Sequence, residues 1–127
     1  MSGPGHRTET LAVEDAEWVE ELIGSWVEVY KKSATTLALL RIVRDSGPLP
    51  AAEIAPLYVA ATGWSITERG LYRTLRRLAD AGALRIEKVA VARTGARRQD
   101  FALTPVGEAY LRGIEARLVG ADAAGHG

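Results

Sequence analysis

At 127 residues, with 47% hydrophobic and 25% charged side chains and no net charge, the chain has the bulk properties of one ordinary globular domain. It contains no cysteine, which excludes disulfides, thiolate metal sites and cysteine nucleophiles; its two histidines, His6 and His126, both sit in Gly-rich end segments. With no His- or Cys-based constellation available, no enzyme, metal or cofactor is expected. No apolar run reaches the roughly 18–20 residues of a membrane helix, and no signal-like stretch follows Arg7, so the expected compartment is the cytoplasm.

Residues 1–9 read as a disordered tail. From Val13 to Lys32 the apolar positions Trp18, Val19, Leu22, Ile23, Trp26, Val27 and Tyr30 are spaced three and four apart, one face of a helix, with acidic residues near its start and Lys31 and Lys32 at its end. A second helix is expected over Ala34–Arg44, with Ser33 either a cap or a helical residue. Ser46-Gly47-Pro48 ends it. Pro50 stands where a third helix starts, which buries Ile54, Leu57 and Tyr58 and closes at Gly63.

A fourth helix opens near Ser65 or Thr67, the two rival N-caps, and runs to Ala81 with Gly82 after it. Leu71, Leu75 and Leu78 share one stripe of it; Arg69, Arg73 and Arg76 share another, with Arg77 beside them. The period then changes. Leu84-Arg85-Ile86 alternates, with an apparent phase slip near Glu87 and Lys88; Arg93 to Arg98 is a polar turn around Gly95; and Gln99 to Leu103 alternates again. Thr104-Pro105 caps a last helix running to about Val119, and residues 120–127 read as a second disordered tail.

Charge is unevenly placed along this order. Residues 1–34 carry a net −4, whereas residues 66–98, with nine Arg and Lys against Glu68, Asp80 and Glu87, carry a net +6. A mainly α chain with a small basic-tipped β-hairpin after its helices is expected to be a winged helix-turn-helix with an added N-terminal helix. In that arrangement the helix before the hairpin enters the major groove of DNA and the hairpin tip reaches phosphates. The organisation expected is residues 10–33 as an amphipathic dimerisation arm and residues 34–119 as the DNA-binding domain.

Three stretches carry a family resemblance. Leu71-Tyr72-Arg73-Thr74-Leu75-Arg76-Arg77-Leu78 resembles the recognition helix of PadR-like regulators, Ala81-Gly82-Ala83-Leu84 is similar to the glycine and apolar pair that follow it, and Arg97 to Gly107 resembles the segment after the wing. Ala51-Ala52-Glu53-Ile54 keeps only the last two residues of the family's G-Y-E-I. The resemblance covers about residues 35–110. It implies a bacterial transcriptional regulator, a repressor in type, that binds a palindromic operator in double-stranded DNA and is often released by a small effector.

The candidate DNA-binding residues are Thr67, Arg69, Tyr72, Arg73, Arg76, Arg77, Arg93, Arg97 and Arg98. Arg69 and Arg73 are the expected base readers, because Arg grips guanine through two hydrogen bonds; Arg76 and Arg77 are assigned to phosphate or support. Tyr72 has two open readings, a phosphate contact through its hydroxyl or a filler at the core edge. Trp18, Leu22, Trp26 and Tyr30 are the candidate homodimer contacts, with a pocket for a small aromatic effector as their sharper reading. The alternative to DNA binding is a winged-helix protein–protein interaction module.

Overall fold

The computed structural model describes residues 11–126, with side chains described as far as Leu118. The expected tail at 1–9 lies outside the described residues. The elements run α1 (Val13–Ser46), β1 (Leu49–Pro50), α2 (Ala51–Thr62), α3 (Glu68–Asp80), β2 (Leu84–Ala90), β3 (Arg97–Leu103) and α4 (Pro105–His126). The chain divides into two compact units, Met1–Ser33 and Ala34–Gly127.

In the first unit, every described residue from Leu11 to Ser33 is exposed. The apolar stripe read from the sequence is present on this helix as open surface, and within it the rings of Trp26 and Tyr30 stack at 5.4 Å with 7° between their planes.

The two helices expected before Gly47 are one, α1, with Ser33 a helical residue. No proline or glycine interrupts the chain between Gly24 and Gly47, so nothing stops propagation through a single serine. At Gly47 the helix must end. Its N–H still bonds Val43 O at 2.9 Å, and a Cβ there would lie 2.5 Å from that same carbonyl.

In the second unit the core joins Leu39, Leu40 and Val43 of α1, Ile54 and Tyr58 of α2, Leu71, Leu75 and Leu78 of α3, Leu84 and Phe101 of the strands, and Leu111 of α4. Burying each of these large side chains stabilises by about 1.5–3 kcal/mol. The Tyr58 hydroxyl finds its partner in Thr35 Oγ1, 2.8 Å away, so the one polar tip in this cluster is satisfied. Trp64 is partly buried against it.

The helix-turn-helix is α2, the turn 63–67 and α3. Gly63, at φ 75°, closes α2 in the left-handed conformation that favours glycine. Of the two candidate N-caps for α3, Thr67 is the cap: its hydroxyl accepts from Gly70 N at 3.0 Å. The end of α3 is a Schellman motif, with Gly82 at φ 87°, Gly82 N bonded to Ala79 O and Ala83 N to Leu78 O, both at 2.9 Å.

The sheet has three antiparallel strands in the order β1-β3-β2. The hairpin is the expected one, but β1 is an addition: Leu49 pairs with Phe101 and Pro50 with Asp100. Two residues are too short for a period of two to show in the sequence. Pro50, which has no N–H to give, lies on the edge strand and serves as the N-cap residue of α2 rather than its first turn.

The phase slip expected at Glu87 and Lys88 does not occur. β2 pairs with β3 in unbroken register through Ile86–Phe101, Glu87–Asp100, Lys88–Gln99, Val89–Arg98 and Ala90–Arg97. Alternation therefore continues past the core. Polar residues follow the apolar ones on the inner face once the hairpin outruns the hydrophobic cluster.

α4 is capped by Thr104, whose Oγ1 accepts from Gly107 N at 2.9 Å and has Gly82 O at 2.5 Å and Ala83 O at 3.0 Å as acceptors for its one proton. Gly107 sits so close to β2 that a Cβ would collide with the Ala83 carbonyl. The helix is assigned to His126, beyond the end expected at Val119.

Candidate nucleic-acid interface

Successive residues of a helix turn by about 100°, so Arg69, Arg73 and Arg76 stand on the side of α3 opposite Leu71, Leu75 and Leu78. Burial agrees: the three leucines are closed off while Arg69, Arg73, Arg76 and Arg77 are exposed. Over seven residues this row extends about 10 Å along the helix. Thr67 lies at its N-terminal end, with its hydroxyl committed to the cap.

The flanks of α3 differ. Arg69 and Tyr72 border a groove against α2, lined by Ala51, Ala52, Ala55 and Ile66. Arg77 borders a separate groove formed with α4, lined by Leu78, Ala83, Val106, Ala109 and Tyr110. Arg77 is thus set apart from the outward row of Arg69, Arg73 and Arg76.

Tyr72 joins α3 to the wing. Its hydroxyl donates to Gln99 Oε1 at 2.7 Å, and its ring meets Phe101 edge-on at 6.2 Å and 76°. The ring lies at the core edge, and 39% of the residue remains exposed. The consequence is mechanical. Two elements that meet duplex DNA in a winged helix are pinned to each other by one aromatic contact and one hydrogen bond.

The wing loop spans residues 91–96 and is closed by Val91 N to Ala96 O at 2.7 Å and Gly95 N to Val91 O at 2.9 Å, with Gly95 at φ 70°. Arg93 sits in this loop, exposed. Arg97 and Arg98, adjacent in sequence, go to opposite faces of β3. Arg97 shares the face of Gln99 and Phe101, the one that meets Tyr72. Arg98 shares the face of Asp100 and is tied to it, with Nε 3.0 Å from Asp100 Oδ1 and Nη2 donating to Oδ2 at 3.4 Å.

Asp100 is only 5% exposed, and its Oδ1 is buried without an aligned hydrogen-bond donor. A buried carboxylate in that state depends on the charge beside it, so Arg98 has an internal task. The same outer face carries a second pair, Arg85 Nε to Glu87 Oε2 at 2.8 Å. Among the described residues, Arg69, Arg73, Arg76, Arg77, Arg93 and Arg97 make no ion pair.

Gln99, Lys88 and Asp100 are absent from the sequence-read site. Strict alternation carried through Glu87 is the signal that places Lys88 beside Gln99. Among the described residues no three His, Cys, Asp or Glu side chains could together hold a metal ion, and no helix is long and apolar enough to cross a membrane.

No protein-family profile matches the chain, and no curated protein matches it. Solved structures do. A PadR-like transcription factor from Bacteroides fragilis superposes with a TM-score of 0.67 at 22% identity, over 80% of this chain and 96% of that one. A PadR family transcriptional regulator from Eggerthella lenta gives 0.60 at 23% identity, over 91% and 96%. A protein of Thermoplasma acidophilum designated a candidate transcriptional regulator gives 0.65 at 18% identity, over 75% and 89%. These likenesses, with the helix-turn-helix and the three-stranded wing, show that the chain has the winged-helix fold of PadR-like transcriptional regulators.

Proposed function

We propose that this protein is a sequence-specific, double-stranded-DNA-binding regulator of transcription that presents α3 to the major groove and the wing to the flanking backbone. The observation that carries the reading is the outward row Arg69, Arg73 and Arg76, without internal counter-charges among the described residues, on a helix pinned to a cationic hairpin through Tyr72 and Gln99. Unpaired guanidinium groups on the exposed side of a recognition helix suit guanine O6 and N7 and phosphate oxygens. In this reading Arg98 leaves the contact set, since its charge is used by Asp100.

The proposal includes a homodimer formed through Trp18, Leu22, Trp26 and Tyr30. Trp18 is 57% and Trp26 66% exposed, and a helix face this apolar calls for cover. Two-fold pairing would set two α3 helices on half-sites about one helical turn of DNA, 34–36 Å, apart.

Selection from a random duplex pool tests the reading: a recovered two-fold motif supports it. On the recovered duplex, Arg73→Ala is expected to weaken binding by about 1–3 kcal/mol and blur the motif. Binding unchanged in Arg73→Ala overturns the assignment of α3. No retained DNA at low salt, together with a stable protein partner, favours the protein-interaction module instead.

A further inference from the structure

We propose that Lys88, Arg97 and Gln99 form a seat for a single phosphodiester group on the α3-facing side of the hairpin, and that Arg98 takes no part in it. The inference deepens the DNA-binding reading and rests on it.

The register places the three side chains. Lys88 and Gln99 are directly opposed across β2 and β3, and Arg97 is two residues before Gln99 on the same strand. Directly opposed Cβ atoms on one face of an antiparallel pair lie about 4.5–5.5 Å apart, and next neighbours about 7–8 Å, within reach of a common anion for side chains of this length. All three are on the face that carries Ile86 and Phe101, continued past the core toward the wing loop. Lys88 and Arg97 are exposed and make no ion pair among the described residues.

Gln99 supplies the orientation. Its Oε1 accepts the Tyr72 hydroxyl at 2.7 Å, which leaves the amide NH2 as a donor with no partner among the described residues. An ammonium, a guanidinium and an amide N–H2 on one patch form a donor set with no acceptor of its own, the complement of a phosphate. The two acids of the hairpin are on the other face: Glu87 is held by Arg85 and Asp100 by Arg98. Alternation thus sorts the hairpin into a neutralised outer face and an uncompensated inner one. The inner one adjoins Tyr72 of α3.

The experiment is a salt titration of binding to a labelled random-sequence DNA duplex, read by fluorescence anisotropy, with wild type, Lys88→Ala, Lys88→Arg, Arg97→Ala, Arg98→Ala and Arg73→Ala. Removing the cation from one phosphate should lower the slope of log affinity against log salt by about 0.9, which corresponds to about fivefold weaker binding near physiological salt. Lys88→Ala and Arg97→Ala each break the shared seat and are expected to lower the slope by up to that amount, Lys88→Arg to retain the wild-type slope, and Arg98→Ala to retain it while lowering the unfolding midpoint.

A Lys88→Ala slope equal to wild type, with the wild type bound at low salt, overturns the seat and leaves DNA binding standing. An Arg98→Ala slope reduced as far as that of Lys88→Ala overturns the sorting of the two faces. No binding by the wild type at low salt overturns the DNA-binding reading, and the seat with it.

Discussion

The arm, residues 11–33, and the winged unit that begins at Ala34 are built from the same residue types, yet they use them in opposite ways. In the winged unit the large apolar side chains are closed off: Leu39, Leu40, Ile54, Leu71, Leu75, Phe101 and Leu111 are each 1% exposed or less. In the arm every described side chain is open, Trp18 and Trp26 included. Charge divides the same way, with Glu14, Glu17, Glu20, Glu21 and Glu28 on the arm and the arginine row on α3. A helix gains most of its stability from packing its apolar face, and isolated helices are marginal in water. The winged unit therefore carries its own stability, while the apolar side chains of the arm are exposed.

The sharpest way to break this comparison is to cut a large side chain from each region. Leu75→Ala removes a fully enclosed side chain at the centre of α3 and is expected to lower unfolding free energy by about 2–5 kcal/mol in a urea titration. Trp26→Ala, at 66% exposure, is expected to change the unfolding of the monomer by less than about 0.5 kcal/mol, and instead to lower the sedimentation-measured fraction of dimer. A Trp26→Ala loss as large as that of Leu75→Ala would mean the arm belongs to the core after all.

Next in size is a position where the winged unit tolerates no added atom. Gly107 is held against Ala83 by the Thr104 cap, and a Cβ would strike backbone rather than a movable side chain. Gly107→Ala is expected to lower stability by about 1–3 kcal/mol despite the better helix propensity of alanine. Gly24 on the arm is the matched control, since nothing lies within 4 Å of a Cβ there and alanine favours helix. Gly24→Ala should be neutral or mildly stabilising by circular dichroism, and reversal of the two signs would break the comparison.

The same contrast explains what was legible in the sequence. Periodic features could be read: the 3–4 spacing of Trp18 to Tyr30, the Leu71, Leu75, Leu78 stripe, and the Thr104-Pro105 start of α4. Each is fixed by its own segment. What escaped depends on a partner far along the chain. β1 is two residues long and exists because Leu49 meets Phe101. The register through Glu87 and Lys88 is set by β3, not by local hydropathy, and it places Lys88 opposite Gln99. Tyr72 and Gln99 are 27 residues apart and meet only when the hairpin folds back on α3. The site could thus be read as a set of arginines, whereas its geometry, and the sorting of its charges between two faces, comes from tertiary pairing.

The smallest expected effect is on the pH dependence of the winged unit, and it sharpens the comparison because the groups involved all lie within that unit. Glu115 of α4 accepts from Arg41 Nε at 2.8 Å and from Arg44 Nη1 at 3.3 Å. The Arg41 hydrogen bond first, then the nearby positive charges of Arg44 and Arg41, hold its carboxyl below the ordinary glutamate range despite some desolvation. The unfolded chain therefore takes up the proton first as pH falls. The stabilisation is present above the ordinary glutamate range and is lost as pH drops through the lowered folded value. Asp45, lowered by its hydrogen bond to Arg44, titrates in the same direction in both proteins. The urea midpoint of wild type minus that of Glu115→Gln should be constant from neutral pH down to that range and then shrink. A difference that grows on acidification would show that Glu115 is destabilised by its surroundings, and that α4 is held to α1 by Leu111 and Ile114 without help from the ion pair.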